Sequence, residues 1–296
     1  MLSAAIILSD QSGKSFHKLL RKTDRVTWNG ICYTGQIAAL PKERASAFLT
    51  PEIIAMISDL LIILDPDFCT FNYLSDAVRN GCHLFLTDRL RMTTNERREL
   101  IQLADEGGTS IQIRNDLLFH PFRDKIISEP ILPGFIEIHQ VSPNQSDNYQ
   151  EILFNNLLMT LRITGSHIHR LNVFGGNGRD NKTDLINLYM SFINGSAASI
   201  TISFTGDKNE HQLSVYKNSQ LLRFDFEKNS AYQFPLQKNF QYSQQSAADP
   251  LTEQINDFIE KVSNHRTPLF SLKDESTVFH LLEKIKAKLE SRSVLI

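Results

Sequence analysis

A few residue groups in this chain have types and spacings that could do chemistry. Ser12-Gly13-Lys14-Ser15 follows a short apolar run and opens a helical pattern. In that setting backbone N–H groups and a lysine ammonium can hold phosphate. The full phosphate-loop pattern, GxxxxGK[ST], needs a glycine where Leu8 stands, and Asp10 and Gln11 would lie inside the cradle. Leu60–Leu64 followed by Asp65 even imitates the strand and carboxylate that accompany such loops. The plainer reading, an ordinary strand–helix turn with Lys14 in solvent, is preferred, and Gly13-Lys14-Ser15 is then the best remaining anion contact of this half, phosphate or nucleotide. His167-Ile168-His169 puts two imidazoles on one strand face, a spacing that suits a metal. A third ligand would have to come from Glu137, His139 or Glu151, which sequence does not bring near, so two sheet histidines and no metal is preferred. Cys82-His83 reads as core packing. Gly175-Gly176-Asn177-Gly178, the densest glycine cluster, reads as a flexible loop between strands without a phosphate role.

Composition narrows the classes of function. The chain has 296 residues, 41% of them hydrophobic and 22% charged, enough for two ordinary domains with cores of their own. With 31 basic and 33 acidic residues it has no polybasic field, so neither nucleic acid nor an anionic membrane is expected as partner. The longest apolar runs, such as Ala4–Leu8, are far too short to span a bilayer. Three scattered cysteines without CxxC spacing fit a reducing, cytoplasmic setting. Glycine numbers only 13, against about 21 for an average chain of this length. That is few for a protein that wraps backbone around phosphates.

The elements that must position these residues fall into two kinds. Up to about residue 120, apolar strand-like runs alternate with helical patterns. The strands are Ala4–Leu8, Val26–Tyr33, Leu60–Leu64, His83–Leu86 and Ser110–Arg114. The helices are Ser15–Lys22, Thr50–Ser58, Phe68–Asn80 and the segment after the capping box Thr93-Thr94-Asn95-Glu96. Such alternation with short links predicts a doubly wound parallel sheet with helices on both faces. Residues 121–296 read differently: six strand-like runs between residues 131 and 226, a helix over Asn148–Arg162, and two closing helices carrying Leu251–Val262 and Val278–Leu289. The fold class expected is α/β, a Rossmann-like domain over 1–120 followed by an α+β domain over 121–296 with an open, largely antiparallel sheet.

This order of landmarks resembles the glucose–fructose oxidoreductase/inositol dehydrogenase (Gfo/Idh/MocA) family. The best stretch is Asp59–Pro121, containing LLIILDPDFCTFNYLSDAVRNGCHLFLTDRLRMTTNERRELIQLADEGG. Family members there read a buried strand ending in Thr-Pro, a helix, Gly-Lys-His, a strand, Glu-Lys-Pro, then a long Thr-capped helix. YMSFINGSAASITISF is similar to the family's strand–Asn-Gly–strand hairpin, and the segment from Leu251 to Ser293 to its closing helices. The resemblance spans nearly the whole chain. It implies a nucleotide-binding domain, NAD or NADP as cofactor, a sugar or polyol as ligand, and subunit pairing through the open sheet.

The matched positions depart from the family's chemistry. The dinucleotide fingerprint GxGxxG falls on Leu8, Ser9, Asp10, Gln11, Ser12 and Gly13, where only the last glycine remains. A carboxylate at Asp10 would face the phosphates, and like charges about 4 Å apart cost ~4 kcal/mol at an effective dielectric near 20. Tyr33 and Thr34 stand where an acidic residue would hold a ribose hydroxyl. The family's Glu-Lys-Pro becomes Thr87-Asp88-Arg89, replacing a proton-shuttling lysine by a carboxylate, and Arg89 or Arg91 is a poor proton donor. Asp-x-x-x-His on the first helix of the second domain becomes Glu151 and Asn155. The positions matching the cofactor site are thus Leu8, Asp10, Ser12, Gly13, Asp65, Pro66 and Thr87, and those matching the catalytic motifs are Asp88, Glu151 and Asn155.

Two readings of function follow. The preferred one is a pseudoenzyme of the family with a binding or assembly role and no hydride transfer. The other is a working NAD(P)-dependent oxidoreductase on a sugar or polyol. If the fold is kept, Asp10, Asp65, Asp88, Glu151 and Asn155 are expected to converge on an acidic cleft at the carboxyl ends of the parallel strands. A face-to-face homodimer is expected through the second sheet. Its strands read as apolar on both sides, with Leu188, Met190 and Phe192 opposing Tyr189, Ser191 and Ile193, and Ala198, Ile200 and Ile202 opposing Ser199, Thr201 and Ser203.

Overall fold

A computed structural model describes residues 1–8, 26–33, 50–87, 90, 92–117, 120, 126, 134–143, 149–177, 183–217, 219–235, 238–241 and 250–292. It divides into two compact units: Met1–Asp116 with Ala248–Thr277, and Leu117–Ala247 with Val278–Ile296. Residues Ala248–Thr277 therefore pack with the first unit, although the sequence reading ran the second domain to the C-terminus. Among the described residues no helix is long and apolar enough to cross a membrane.

The first unit holds a parallel sheet of β1 (Leu2–Leu8), β2 (Val26–Tyr33), β3 (Leu60–Ile63), β4 (His83–Leu86) and β5 (Ile111–Ile113) in the order β2-β1-β3-β4-β5. Ala4–Leu8 and Leu60–Ile63 are wholly buried on both faces, which is why these runs do not alternate in sequence. The intervening helices are α1 (Pro51–Ile57), α2 (Phe71–Arg79) and α3 (Thr94–Glu106). Thr93 caps α3: its hydroxyl accepts from the Glu96 N–H while the Glu96 carboxylate accepts from the Thr93 N–H at 2.7 Å. Gly81 takes φ +84° just past α2, the left-handed conformation that lets the chain turn into β4.

Helix α5 (Pro250–Ser263) explains why the unit is discontinuous. Leu251, Ile255, Phe258, Ile259 and Val262 form one apolar stripe that joins Ala4, Ile6, Leu60, Ile62 and Phe85 in a single core cluster. Each such side chain contributes about 1.5–3 kcal/mol of burial, so the stripe goes where the most apolar sheet is. The buried Gln254 of α5 accepts from the Asn115 N–H at 2.8 Å and donates to Asp116 at 2.9 Å, locking the helix to the chain beyond β5.

The second unit carries an eight-stranded sheet. Its strands are β6 (Phe135–Val141), β7 (Ile168–Asn177), β8 (Thr183–Phe192), β9 (Ala197–Ser203), β10 (Glu210–Lys217), β11 (Gln220–Asp225), β12 (Ser230–Phe234) and β13 (Lys238–Gln241). The order is β13-β12-β11-β10-β6-β9-β8-β7, antiparallel except for the central β6–β9 pair. Ile186, Leu188, Met190, Phe192, Ala198, Ile200 and Ile202 face inward and are buried. Helix α4 (Tyr149–Thr164) lies on that side, because its Asn156 reaches Gln140 and His211 on the inward side of β6 and β10. The unit thus covers one face itself. The other face is mixed, with Asn187, Ser199, Thr201 and Ser203 among exposed Phe174, Tyr189, Tyr216 and Phe234, not apolar on both sides as the pattern suggested. Gly175 and Gly176 are strand residues of β7 and not a loop, and the Leu289 side chain of α6 (Leu272–Arg292) occupies the space that a Cβ on Gly175 would need.

Candidate functional site

In an open parallel sheet, ligands are held beyond the carboxyl ends of the strands where the strand order reverses. Here that point lies between β1 and β3, whose register pairs Ile7 with Ile63. Leu8 ends β1 with its side chain fully buried in the core cluster. The Leu64 N–H donates to the Ile7 carbonyl at 2.8 Å, so the chain passes directly into Asp65 beside the end of β1. Asp65 is 5% exposed, and its Oδ1 accepts from the Asp67 N–H at 3.0 Å. A short 3-10 turn over Pro66–Phe68 follows, closed by the Phe68 N–H on the Asp65 carbonyl. Next door, Thr87 at the end of β4 donates both its N–H (3.1 Å) and its hydroxyl (3.2 Å) to the Ile63 carbonyl. The structure therefore brings Leu8, Asp65, Pro66 and Thr87 to the same edge of one sheet. Asp10, Ser12, Gly13, Lys14, Ser15 and Asp88 lie outside the described residues.

Of the positions that the resemblance matches to a dinucleotide site, the structure describes Leu8, Asp65, Pro66 and Thr87. A pyrophosphate approaches bare backbone at the first fingerprint position, which the resemblance matches to Leu8, whose side chain is buried. The adjoining strand presents a carboxylate where a phosphate or ribose would want donors. Both Thr87 donors are spent on the strand end.

In the second unit Glu151 and Asn155 stand four residues apart on α4, so they share a helix face; Glu151 is exposed and Asn155 half-buried. The polar centre that sequence reading missed is one residue further on. Asn156, fully buried, donates through Nδ2 to Gln140 Oε1 at 2.7 Å, and its Oδ1 lies 3.0 Å from His211 Nε2. An amide oxygen only accepts, so His211 carries its proton on Nε2. Phe226 packs against the His211 ring at 4.6 Å and against His120 at 5.0 Å, and His120 Nε2 meets Asn229 Oδ1 at 3.0 Å. Burial drives the His211 pKa down to about 4, aided by nearby His120 and opposed by Asp225. A signal was present in sequence, since an Asn inside an apolar helix stripe must have a partner. What the sequence withheld was the β6–β10 register that pairs Gln140 with His211.

The remaining candidates separate. His167 and His169 are exposed, and among the described residues no group of His, Cys, Asp and Glu is arranged to hold a metal. Cys82 is buried and donates to the Ala55 and Ser58 carbonyls, while burial pushes its thiol up to about 11. His83 accepts the Ser110 N–H on Nδ1 at 3.0 Å.

No family model matches the chain. One curated relative, UDP-N-acetylglucosamine 3-dehydrogenase of Acidithiobacillus ferrooxidans, is 20% identical over 243 residues, 77% of each chain. Its solved structure superposes with a TM-score of 0.77 at 18% identity over 97% of both chains. A dehydrogenase from Clostridium difficile gives 0.78 at 14% identity, covering 97% of this chain and 99% of its own. A dehydrogenase from Chromobacterium violaceum gives 0.78 at 11%, covering 100% and 97%. Together with the five-stranded parallel sheet and the larger mixed sheet, these likenesses show that the chain has the fold of the Gfo/Idh/MocA-type dehydrogenases, and the weak sequence match supports that family.

Proposed function

We propose that this chain is a pseudoenzyme built on that dehydrogenase fold, keeping the scaffold for a binding or assembly role without hydride transfer. The observation that carries the reading is the strand-end edge of the first sheet. Leu8 is absorbed into the core, Asp65 is turned inward as a carboxylate, and Thr87 spends its donors on Ile63. The sequence adds Asp88 where the resemblance places a lysine and Asn155 where it places a histidine. His211 does not replace that histidine, since it is 6% exposed and its Nε2 proton is committed to Asn156. The exposed aromatic face of the second sheet suits pairing with a second copy of the chain, in keeping with the assembly role.

The competing reading, an NAD(P)-dependent oxidoreductase on a sugar, draws on the relative whose name gives UDP-N-acetylglucosamine as its substrate. Titration with NADH and NADPH, followed by nucleotide fluorescence and melting temperature, decides between them. The expected result is no saturable cofactor binding and no reduction of NAD or NADP when UDP-N-acetylglucosamine is added. Saturable binding with a rise of several degrees in the melting midpoint overturns the pseudoenzyme reading.

A further inference from the structure

The first unit has a second concave site, at the opposite edge of its sheet from the strand ends just described. It lies where β4 and β5 begin, walled by the C-terminal end of α3 on one side and by the α5–α6 connection on the other. Its volume is about 280 Å³. The floor is apolar, with Ala104, Ile111, Val262, Pro268 and Leu272 among its lining residues. The rim carries two cations, Arg266 and Lys273, with the His83 and His265 imidazoles beside them and Asp105 as its acidic member. Among the described residues, neither the Arg266 guanidinium nor the His265 ring makes a hydrogen bond. His83 accepts on Nδ1 from the Ser110 N–H at 3.0 Å, so its neutral ring carries the proton on Nε2, which likewise has no partner among them. Lys273 bonds Asp105 at 2.8 Å, but both side chains are more than half exposed, so that pair is weak and Lys273 can turn to a stronger anion.

We propose that this cleft binds a small organic phosphate, a phosphomonoester whose apolar body lies on the floor and whose phosphate meets the cationic rim. A guanidinium, an ammonium and an imidazole N–H approaching from different elements match a tetrahedral dianion with three terminal oxygens better than a planar carboxylate. The apolar floor gives the ester group a place that inorganic phosphate would leave empty. The site sits wholly within the first unit, at the opposite end of its strands from Leu8, Asp65 and Thr87.

Calorimetric titration of the full-length chain with phenyl phosphate tests this, with inorganic phosphate and phenol as the two halves of that probe. Saturable binding of phenyl phosphate is expected, weaker binding of inorganic phosphate, and none of phenol. Arg266→Ala is expected to weaken phenyl phosphate about tenfold, the usual effect of losing a charged hydrogen bond. Asp105→Asn, which removes the competing carboxylate, is expected to strengthen it, and Lys14→Ala to leave it unchanged. Both rim positions are exposed, and a melting midpoint like that of the unaltered chain confirms that the variants are folded. The proposal is overturned by an absence of saturable phenyl phosphate binding. It is equally overturned if binding is indifferent to Arg266→Ala, or is lost in Lys14→Ala instead.

Discussion

Acid should destabilise the second unit, and His211 is the reason. The imidazole sits on β10 at 6% exposure, donating to Asn156 and enclosed by Phe226. Burial holds it neutral in the folded state down to about pH 4, whereas the unfolded chain protonates it near 6.5. Between those values the unfolded state binds the extra proton. The stabilisation is therefore complete above about pH 6.5 and is lost progressively as the pH falls through 6.5 towards 4. The gap between 6.5 and about 4 corresponds to about 3 kcal/mol in full, of which about 2 kcal/mol is gone by pH 5. His120 is depressed by burial as well and acts in the same direction. The assay is urea unfolding at neutral pH and at pH 5, for the unaltered chain and for His211→Gln, which can still donate to Asn156 but cannot titrate. The single tryptophan, Trp28, lies on β2 and reports the first unit, so hydrogen exchange at the β6 and β10 amides must report the second. Carboxylate titrations are common to both proteins and cancel in the comparison. The unaltered chain should lose about 2 kcal/mol more than His211→Gln. Equal losses in the two proteins would refute the buried, neutral assignment of His211.

Other substitutions test the packing on which the site rests. Arg97 and Glu275 form an ion pair at 2% and 1% exposure, and Arg97 also donates to the Leu90 carbonyl. Glu275→Ala removes the buried carboxylate that faces that guanidinium and should cost about 3–5 kcal/mol, read by Trp28 fluorescence during urea unfolding; a loss below about 1 kcal/mol contradicts the burial. The thiols of Cys32 and Cys82 are both pushed up to about 11 by burial, with nearby carboxylates adding to it, so an aromatic disulfide reagent at mildly alkaline pH should label them only on unfolding. Prompt labelling of the native chain at either position counts against the packing. On the assembly reading, sedimentation at micromolar concentration should give twice the 33.8 kDa chain mass, and Tyr189→Asp on the open face should return it to one chain. An unaltered protein already sedimenting as one chain rules the dimer out.

How legible the molecule was in sequence depended on whether a residue's surroundings were local. The parallel strands, the Thr93 capping box and the Gly81 stop are signalled by neighbours within a few positions, and the structure has them where the pattern places them. β12 and β13 went unread because Ser230–Phe234 and Lys238–Gln241 carry little apolar alternation, and pairing with β11 makes them strands. The Gly175-Gly176 pair reads as a loop because glycine usually marks one. It is strand here because it pairs with Ile186 and Leu185 of β8, and Leu289, more than a hundred positions away, fills the space that a Cβ on Gly175 would need. The destination of α5 was equally non-local: its apolar stripe is obvious in sequence, but nothing in that stripe says which of two sheets it will cover. The Gln140–Asn156–His211 centre needs two strands and a helix in register, information that no single segment holds.

The departures from dehydrogenase chemistry and the stability of the fold are connected at individual positions. At the end of β1, where the resemblance places a glycine, Leu8 adds about 1.5–3 kcal/mol of burial to a core it shares with Ile6 and Leu64. Asp65 would oppose a phosphate, but its carboxylate caps the Asp67 N–H and closes the turn that leads into α2. Thr87 has no donor left to offer a ligand because both tie β4 to β3. Active sites keep strained and unsatisfied groups at a cost in stability. Among the described residues of this edge, Leu8, Asp65 and Thr87 are each satisfied within the fold. On the pseudoenzyme reading proposed above, a chain without hydride transfer has no reason to keep that cost at these positions. The cationic cleft at the other edge has followed the opposite course: Arg266, His265 and the His83 Nε2–H stay without partners among the described residues, as groups kept for a ligand do.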